Sequence, residues 1–125
     1  MLLSFPAEVE AIPTLRRVLG RWLHEADAST TEIDEISLAC SEACANAIEH
    51  AYAPGPASLE VRAALSEQGD AVVCVRDFGS WRAPRGSHRG RGTILMRGLM
   101  DAVDIDPGSE GTTVRLVRRL GREAA

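Results

Sequence analysis

Residues Ser41 to Tyr52 read S-E-A-C-A-N-A-I-E-H-A-Y, late in a helix-period stretch that begins near Glu32. At about 100° per residue, Ile33, Ile36, Cys40, Cys44, Ala47 and Ala51 fall on one apolar face. Glu42, Asn46 and Glu49 share a different stripe, with Glu42 and Asn46 one turn apart. A carboxylate and an amide oxygen stacked in this way can hold a water or a hydroxyl beside a hard cation such as Mg2+. Alone, the stripe also reads as a solvated polar face. Three glycine motifs downstream turn it toward chemistry.

Working outward, Ser29-Thr30-Thr31 followed by Glu32 has the composition of a capping box, so the helix should start there. Pro54-Gly55-Pro56 should stop it. Upstream, Ile12, Leu15, Leu19, Trp22 and Leu23 recur at helical spacing from about Ala11 to Ala26, and Pro13 suits a first turn. Met1 to Phe5 reads as an edge strand ended by Pro6. Downstream the period changes to two. Leu59, Val61, Ala63 and Leu65 alternate as a half-buried strand, and Ala71 to Val75 is apolar on both faces, as in a central strand. Phe78 to Gly92 reads as a mobile loop, and Thr93 to Met100 as a short helix carrying Ile94, Leu95 and Leu99. Strands over Val103 to Asp106 and Thr112 to Val117 flank a turn at Pro107-Gly108-Ser109, and Arg118 to Ala125 should fray. This order implies an α+β two-layer sandwich, with one mostly antiparallel sheet carrying the helices on one face.

The 125 residues suffice for a single domain, 1–125, with one core. No stretch approaches the roughly 18 apolar residues of a membrane helix, and no leader pattern is present, so a cytoplasmic protein is expected. Three cysteines without metal-ligand spacing fit a reducing compartment, and Cys40 and Cys44 should be buried thiols. A net charge of −4 argues against nucleic acid as a direct partner. All 14 basic residues are arginine. Any phosphate chemistry must therefore use arginine, backbone amides or metal, and the missing G-K-[ST] excludes a P-loop.

Asp77-Phe78-Gly79-Ser80-Trp81 directly follows the central strand. An aspartate there can accept a hydrogen bond from an exocyclic amine, and a glycine two residues on lets a flat ring approach the backbone. Gly90-Arg91-Gly92 precedes the short helix, where flexible backbone N–H groups meet a helix N-terminus that attracts anions. Gly111-Thr112-Thr113-Val114 opens a strand and says little by itself.

Together and in this order, the four pieces resemble the Bergerat ATP-binding fold of gyrase, histidine-kinase and MutL ATPase domains. The pattern E-A-x-x-N-A-x-x-H-A-Y is most similar to the anti-sigma-factor serine/threonine kinases, RsbW-like and SpoIIAB-like. The resemblance spans nearly the whole chain and implies ATP and Mg2+ as cofactors. It implies that Asn46 holds Mg2+ and that Glu42 activates the attacking hydroxyl or water. Asp77 would accept from the adenine amine, with Gly79 giving the ring room. Gly90, Arg91, Gly92 and Thr93 would belong to the phosphate-facing segment, and Thr112 to the adenine-side hydrogen-bond network. His50 would be structural. Two positions depart from the family pattern. Trp81 stands where D-x-G-x-G has its second glycine, and Thr93 replaces the usual leucine, where it can cap the following helix. Of Arg82, Arg85, Arg89 and Arg91, one is expected to reach the γ-phosphate.

The implied function is a partner-switching kinase. It would bind a sigma factor, transfer the γ-phosphate to an anti-anti-sigma protein of the STAS class, and form a homodimer. The alternative is an ATP-dependent protein-binding regulator without kinase activity. Glu42 favours the kinase, because a pure binder needs no base there.

Overall fold

The computed structural model of the protein describes residues 1–50, 58–78, 88–108 and 111–121, with the backbone alone at 50 and 88–92. The elements run β1 (Leu2–Pro6), a 3-10 turn (Val9–Ala11), α1 (Ile12–Glu25), α2 (Thr30–His50), β2 (Ser58–Leu65), β3 (Ala71–Asp77), α3 (His88–Leu99), β4 (Ala102–Gly108) and β5 (Gly111–Arg118). The strands form one sheet in the order β1-β2-β3-β5-β4, and every pairing among the described residues is antiparallel.

One face of the sheet carries the core. Val61 pairs with Val75, Ala63 with Val73, Val73 with Leu116, and Leu116 with Val103. All of them are buried and pack with Leu15, Leu19 and Leu23 of α1 and with Ile36, Cys40 and Cys44 of α2. Leu65, expected to close the β2 stripe, is instead exposed near the strand end. β3 is central but buried on one face only. Val72 and Cys74 point away from the helices and are half-buried, because no second helical layer covers that side.

The capping box forms as its sequence predicts. Ser29 Oγ accepts the Glu32 N–H at 3.1 Å, and Glu32 Oε1 accepts the Ser29 N–H at 2.8 Å. Glu32 Oε2 also accepts the Gly121 N–H at 3.0 Å. Partial burial pushes the Glu32 carboxyl up, but the hydrogen bonds from Ser29 and Gly121 and the Arg118 charge prevail and hold it below its usual value.

The C-terminal residues after β5 are therefore tied down as far as Gly121 rather than frayed. The Arg119 N–H donates to Asp101 Oδ2 at 2.7 Å. The last four residues lie outside the described part. Among the described residues, no helix is long and apolar enough to cross a membrane.

Two boundaries differ from expectation. The β4–β5 hairpin continues through the Gly108–Gly111 pair, so the strands run past the Pro107-Gly108 turn signal. Helix α3 begins at His88 instead of Thr93. Glycine costs about 1 kcal/mol per helical position, so the sequence reads as loop there. Tertiary packing overrides that cost, since α3 lies against α2 and buries Met96, with Met100 just beyond its end also buried. Its anchors are these methionines together with Leu99, which packs half-buried against the core; Ile94 and Leu95 are exposed.

Candidate functional site

The centre of the site is the end of β3. Ala71, Val73, Val75 and Asp77 alternate onto the buried face, so strand geometry alone carries the Asp77 carboxylate into the interior. Its Oδ1 accepts the Thr112 N–H from β5 at 3.3 Å. Thr112 is buried as well, and its Oγ1 is the one buried side-chain polar atom among the described residues without a hydrogen-bond partner. A hydroxyl can both donate and accept, and leaving it unpaired costs about 1–3 kcal/mol. An orphaned hydroxyl beside a buried carboxylate fits a polar ligand edge.

Gly111 makes that arrangement possible, and sequence reasoning assigned it no role. Its φ is +136°, and a Cβ there would overlap the Asp77 carbonyl oxygen. The same Cβ would stand 2.9 Å from the Asp77 carbonyl carbon and 3.1 Å from Oδ1. Only a residue without a side chain lets β5 start this close to Asp77 and aim the Thr112 N–H at the carboxylate. The one available signal was a glycine at the first position of a strand, which marks close backbone approach.

Helix α2 supplies the second group. Ala39, Cys40, Ala43, Cys44 and Ala47 form its buried face, and α2 packs on β3 and β5. Its alanines let the helix axis lie close to the sheet. Glu42 and Asn46, one turn apart, are half-buried beside that face, while Glu49 is exposed. The stripe therefore divides: two members border the core and the third faces water. Cys40 and Cys44 are both fully buried. The hydrogen bond from Cys44, with burial, pushes the Cys40 thiol well above its usual range. Cys40 is thus inert packing, not a nucleophile.

Helix α3 changes the reading of the third motif. Gly90, Arg91 and Gly92 lie within the first turns of the helix rather than before it. Thr93 is the sixth helical residue, so it cannot be the N-cap; it is half-buried on the helix. The first four N–H groups of any helix lack intrahelical partners, so the segment from His88 keeps its anion-attracting character. Gly79, Trp81, Arg82 and Arg85 lie outside the described residues. So do the side chains of His50, Arg89 and Arg91.

The donor set of Glu42 and Asn46 is all oxygen-bearing, which suits a hard cation that keeps much of its own water shell. No cluster of three or more His, Cys, Asp or Glu occurs among the described residues. A cation here would be shared with a ligand's oxygens rather than caged by protein.

Residues 5–118 match the family model described as the histidine kinase-like ATPase domain. The chain is 31% identical to the serine-protein kinase RsbW of Bacillus licheniformis, over 94% of this chain and 84% of that protein. It is 28% identical to the anti-sigma F factor of Geobacillus thermodenitrificans, over 100% of this chain and 95% of that protein. Among solved structures, the RsbU and RsbW domains of Rv1364c from Mycobacterium tuberculosis superpose on 99% of this chain with a TM-score of 0.77 and 32% identity. This chain spans 34% of that larger one.

Proposed function

The chain belongs to the histidine kinase-like ATPase family, on its RsbW serine-kinase side, and from that premise we propose that it is the ATP-dependent kinase and anti-sigma factor of a partner-switching system. It binds ATP, retains a sigma factor, and phosphorylates a serine or threonine of a STAS-type antagonist in the cytoplasm, working as a homodimer. The observation that carries this reading is the buried Asp77 with the unpartnered Thr112 hydroxyl beside it. Asp77 accepts from the adenine amine, and Thr112 Oγ1 completes the same edge. Guanine would present an oxygen to the carboxylate instead, so the pocket selects ATP over GTP.

Asn46 would hold Mg2+, which would supply charge neutralisation at the phosphates. Glu42, one turn before Asn46 on α2, takes the proton of the attacking hydroxyl. Phosphoryl transfer is mostly positioning and charge neutralisation. A carboxylate, an amide, the amides at the start of α3 and loop arginines suffice without a lysine. Glu42 is the residue that separates a kinase from a protein that only binds ATP.

Glu42→Ala should therefore keep ATP affinity within a few-fold of wild type. Its phosphoryl transfer to a STAS-type protein should fall by about 10²–10⁴, the worth of a positioned base. Calorimetric ATP binding and phosphoserine or phosphothreonine detection on the same two proteins read both quantities. No transfer by the wild type to any STAS partner would favour the pure binder. Full transfer by Glu42→Ala would move the base elsewhere.

A further inference from the structure

Arg118, the last residue of β5, reaches three other elements. Its Nη1 donates to the Leu99 carbonyl at 2.8 Å and lies 2.7 Å from Glu35 Oε1 on α2. Its Nε lies 4.0 Å from Asp101 Oδ2, in the connection between α3 and β4. Asp101 is itself fixed, because its N–H donates to the Val117 carbonyl at 2.8 Å and its Oδ2 accepts the Arg119 N–H. The Arg118 side chain is 19% exposed, so these contacts are poorly screened. Leu99 ends α3, and its carbonyl is one of the four that a helix cannot pair internally. A guanidinium there satisfies that group and meets the negative end of the helix dipole.

Helix α3 needs such a hold. Three of its 12 residues are Gly90, Gly92 and Gly98, so its intrinsic helicity is low. Its fully buried apolar anchor is Met96, with Leu99 half-buried and Met100 just beyond its end, and methionine adapts its shape and fixes orientation poorly. Directional contacts do act at its C-terminal end: Arg118 to Leu99, and Arg97 Nη1 to the Val103 carbonyl at 3.1 Å. From there the helix extends about 18 Å to His88, the end whose first-turn N–H groups have no partner within the helix.

Arg118 itself lies far from the proposed nucleotide. It pairs with Ala71, at the opposite end of β3 from Asp77, roughly 20 Å away along the strand. Any effect it has on ATP must travel through the elements it holds, and α3 is the one whose end it caps.

We propose that Arg118 is a positioning residue for phosphate recognition: it clamps the C-terminal end of α3 and so sets where the N-terminal amides of that helix stand. This rests on the reading of the site as an ATP site. The clamp acts on the phosphate side and not on the Asp77–Thr112 corner.

The test compares wild type with Arg118→Met, which keeps length and loses every polar contact, Arg118→Lys, which keeps the charge, and Ser29→Ala. The last loosens the α2 cap while keeping the Glu32 charge that Arg118 feels, and does not touch α3. Two measurements are made on each, amide hydrogen exchange over residues 93–99 and the ATP dissociation constant. In Arg118→Met the α3 amides should exchange faster and ATP should bind about tenfold more weakly. Arg118→Lys should fall between, and Ser29→Ala should match wild type in both readouts even where its melting temperature drops. Unchanged α3 exchange in Arg118→Met overturns the clamp. Faster exchange with ATP affinity within twofold of wild type overturns the positioning role, as does an equal loss in Ser29→Ala. A wild type that binds no ATP would fail the nucleotide reading instead, and the exchange data would still decide whether Arg118 holds α3.

Discussion

Two regions of the proposed nucleotide site are built on opposite principles. At the Asp77–Gly111–Thr112 corner, paired strands leave no freedom: a carboxylate is carried inward by strand alternation, and a neighbouring backbone presses against it. At the start of α3, glycines lie in a helix of low intrinsic helicity whose far end is clamped by Arg118. The corner suits recognition of a rigid, flat base, where a small displacement breaks the match. The α3 segment suits phosphates, whose oxygens can be met by amides in more than one arrangement. Glycine serves both regions for different reasons. At Gly111 it removes a collision; in α3 it lowers the helix's own preference for order.

The sharpest way to break this comparison is to add one methyl group at the corner. Gly111→Ala must relieve an overlap with the Asp77 carbonyl at a φ of +136°, and the backbone must move to do so. We expect a loss of at least about 2–4 kcal/mol in folding stability, from strain together with the broken Thr112–Asp77 contact. ATP binding should become undetectable at micromolar ligand. Denaturant melts and calorimetry on the same protein check both parts. Wild-type stability would show that β5 does not press on Asp77.

A milder test leaves the backbone alone. Asp77→Asn places an amide where an acceptor oxygen faced the adenine amine, a loss of about 1–3 kcal/mol. ATP should weaken roughly tenfold or more, while GTP, already poor, should lose less. Titration of both nucleotides against wild type and variant decides it. Equal affinities of the wild type for ATP and GTP would remove adenine from this pocket.

The sequence made these two regions legible to different degrees. The capping box at Ser29–Glu32, the apolar face of α2 and the period-two strands were readable because each depends on local spacing. Asp77 was readable as a strand-end carboxylate. Gly111 was silent, because what makes it necessary is the Asp77 carbonyl, 34 positions away in the chain and adjacent only once β3 and β5 pair. The start of α3 was misread for a related reason. His88 to Gly92 has the composition of a loop, and helix forms there through contacts made elsewhere, by Met96, Met100 and Arg118. Thr93 was consequently placed as a cap when it lies inside the helix. The motifs' order implied the site's members, and the third dimension assigned their constraints.

The smallest expected effect repeats the same substitution in the other region. A Cβ on Gly98 meets nothing within 4 Å, and the residue sits in regular helix near the clamped end of α3. Gly98→Ala should therefore stabilise α3 by about 0.5–1 kcal/mol. Where that gain appears depends on how α3 unfolds. If the helix opens only with the whole domain, the melting temperature rises by about 2–4 °C. If it opens locally at lower free energy, amide exchange over residues 93–99 slows while the melting temperature hardly moves. The second outcome is expected, because a helix with three glycines among its 12 residues has little intrinsic helicity of its own. ATP affinity should stay within twofold, since the added methyl points to solvent. A destabilised Gly98→Ala would mean that glycine is required in α3 for space, as at Gly111, and the contrast between the two regions would fail.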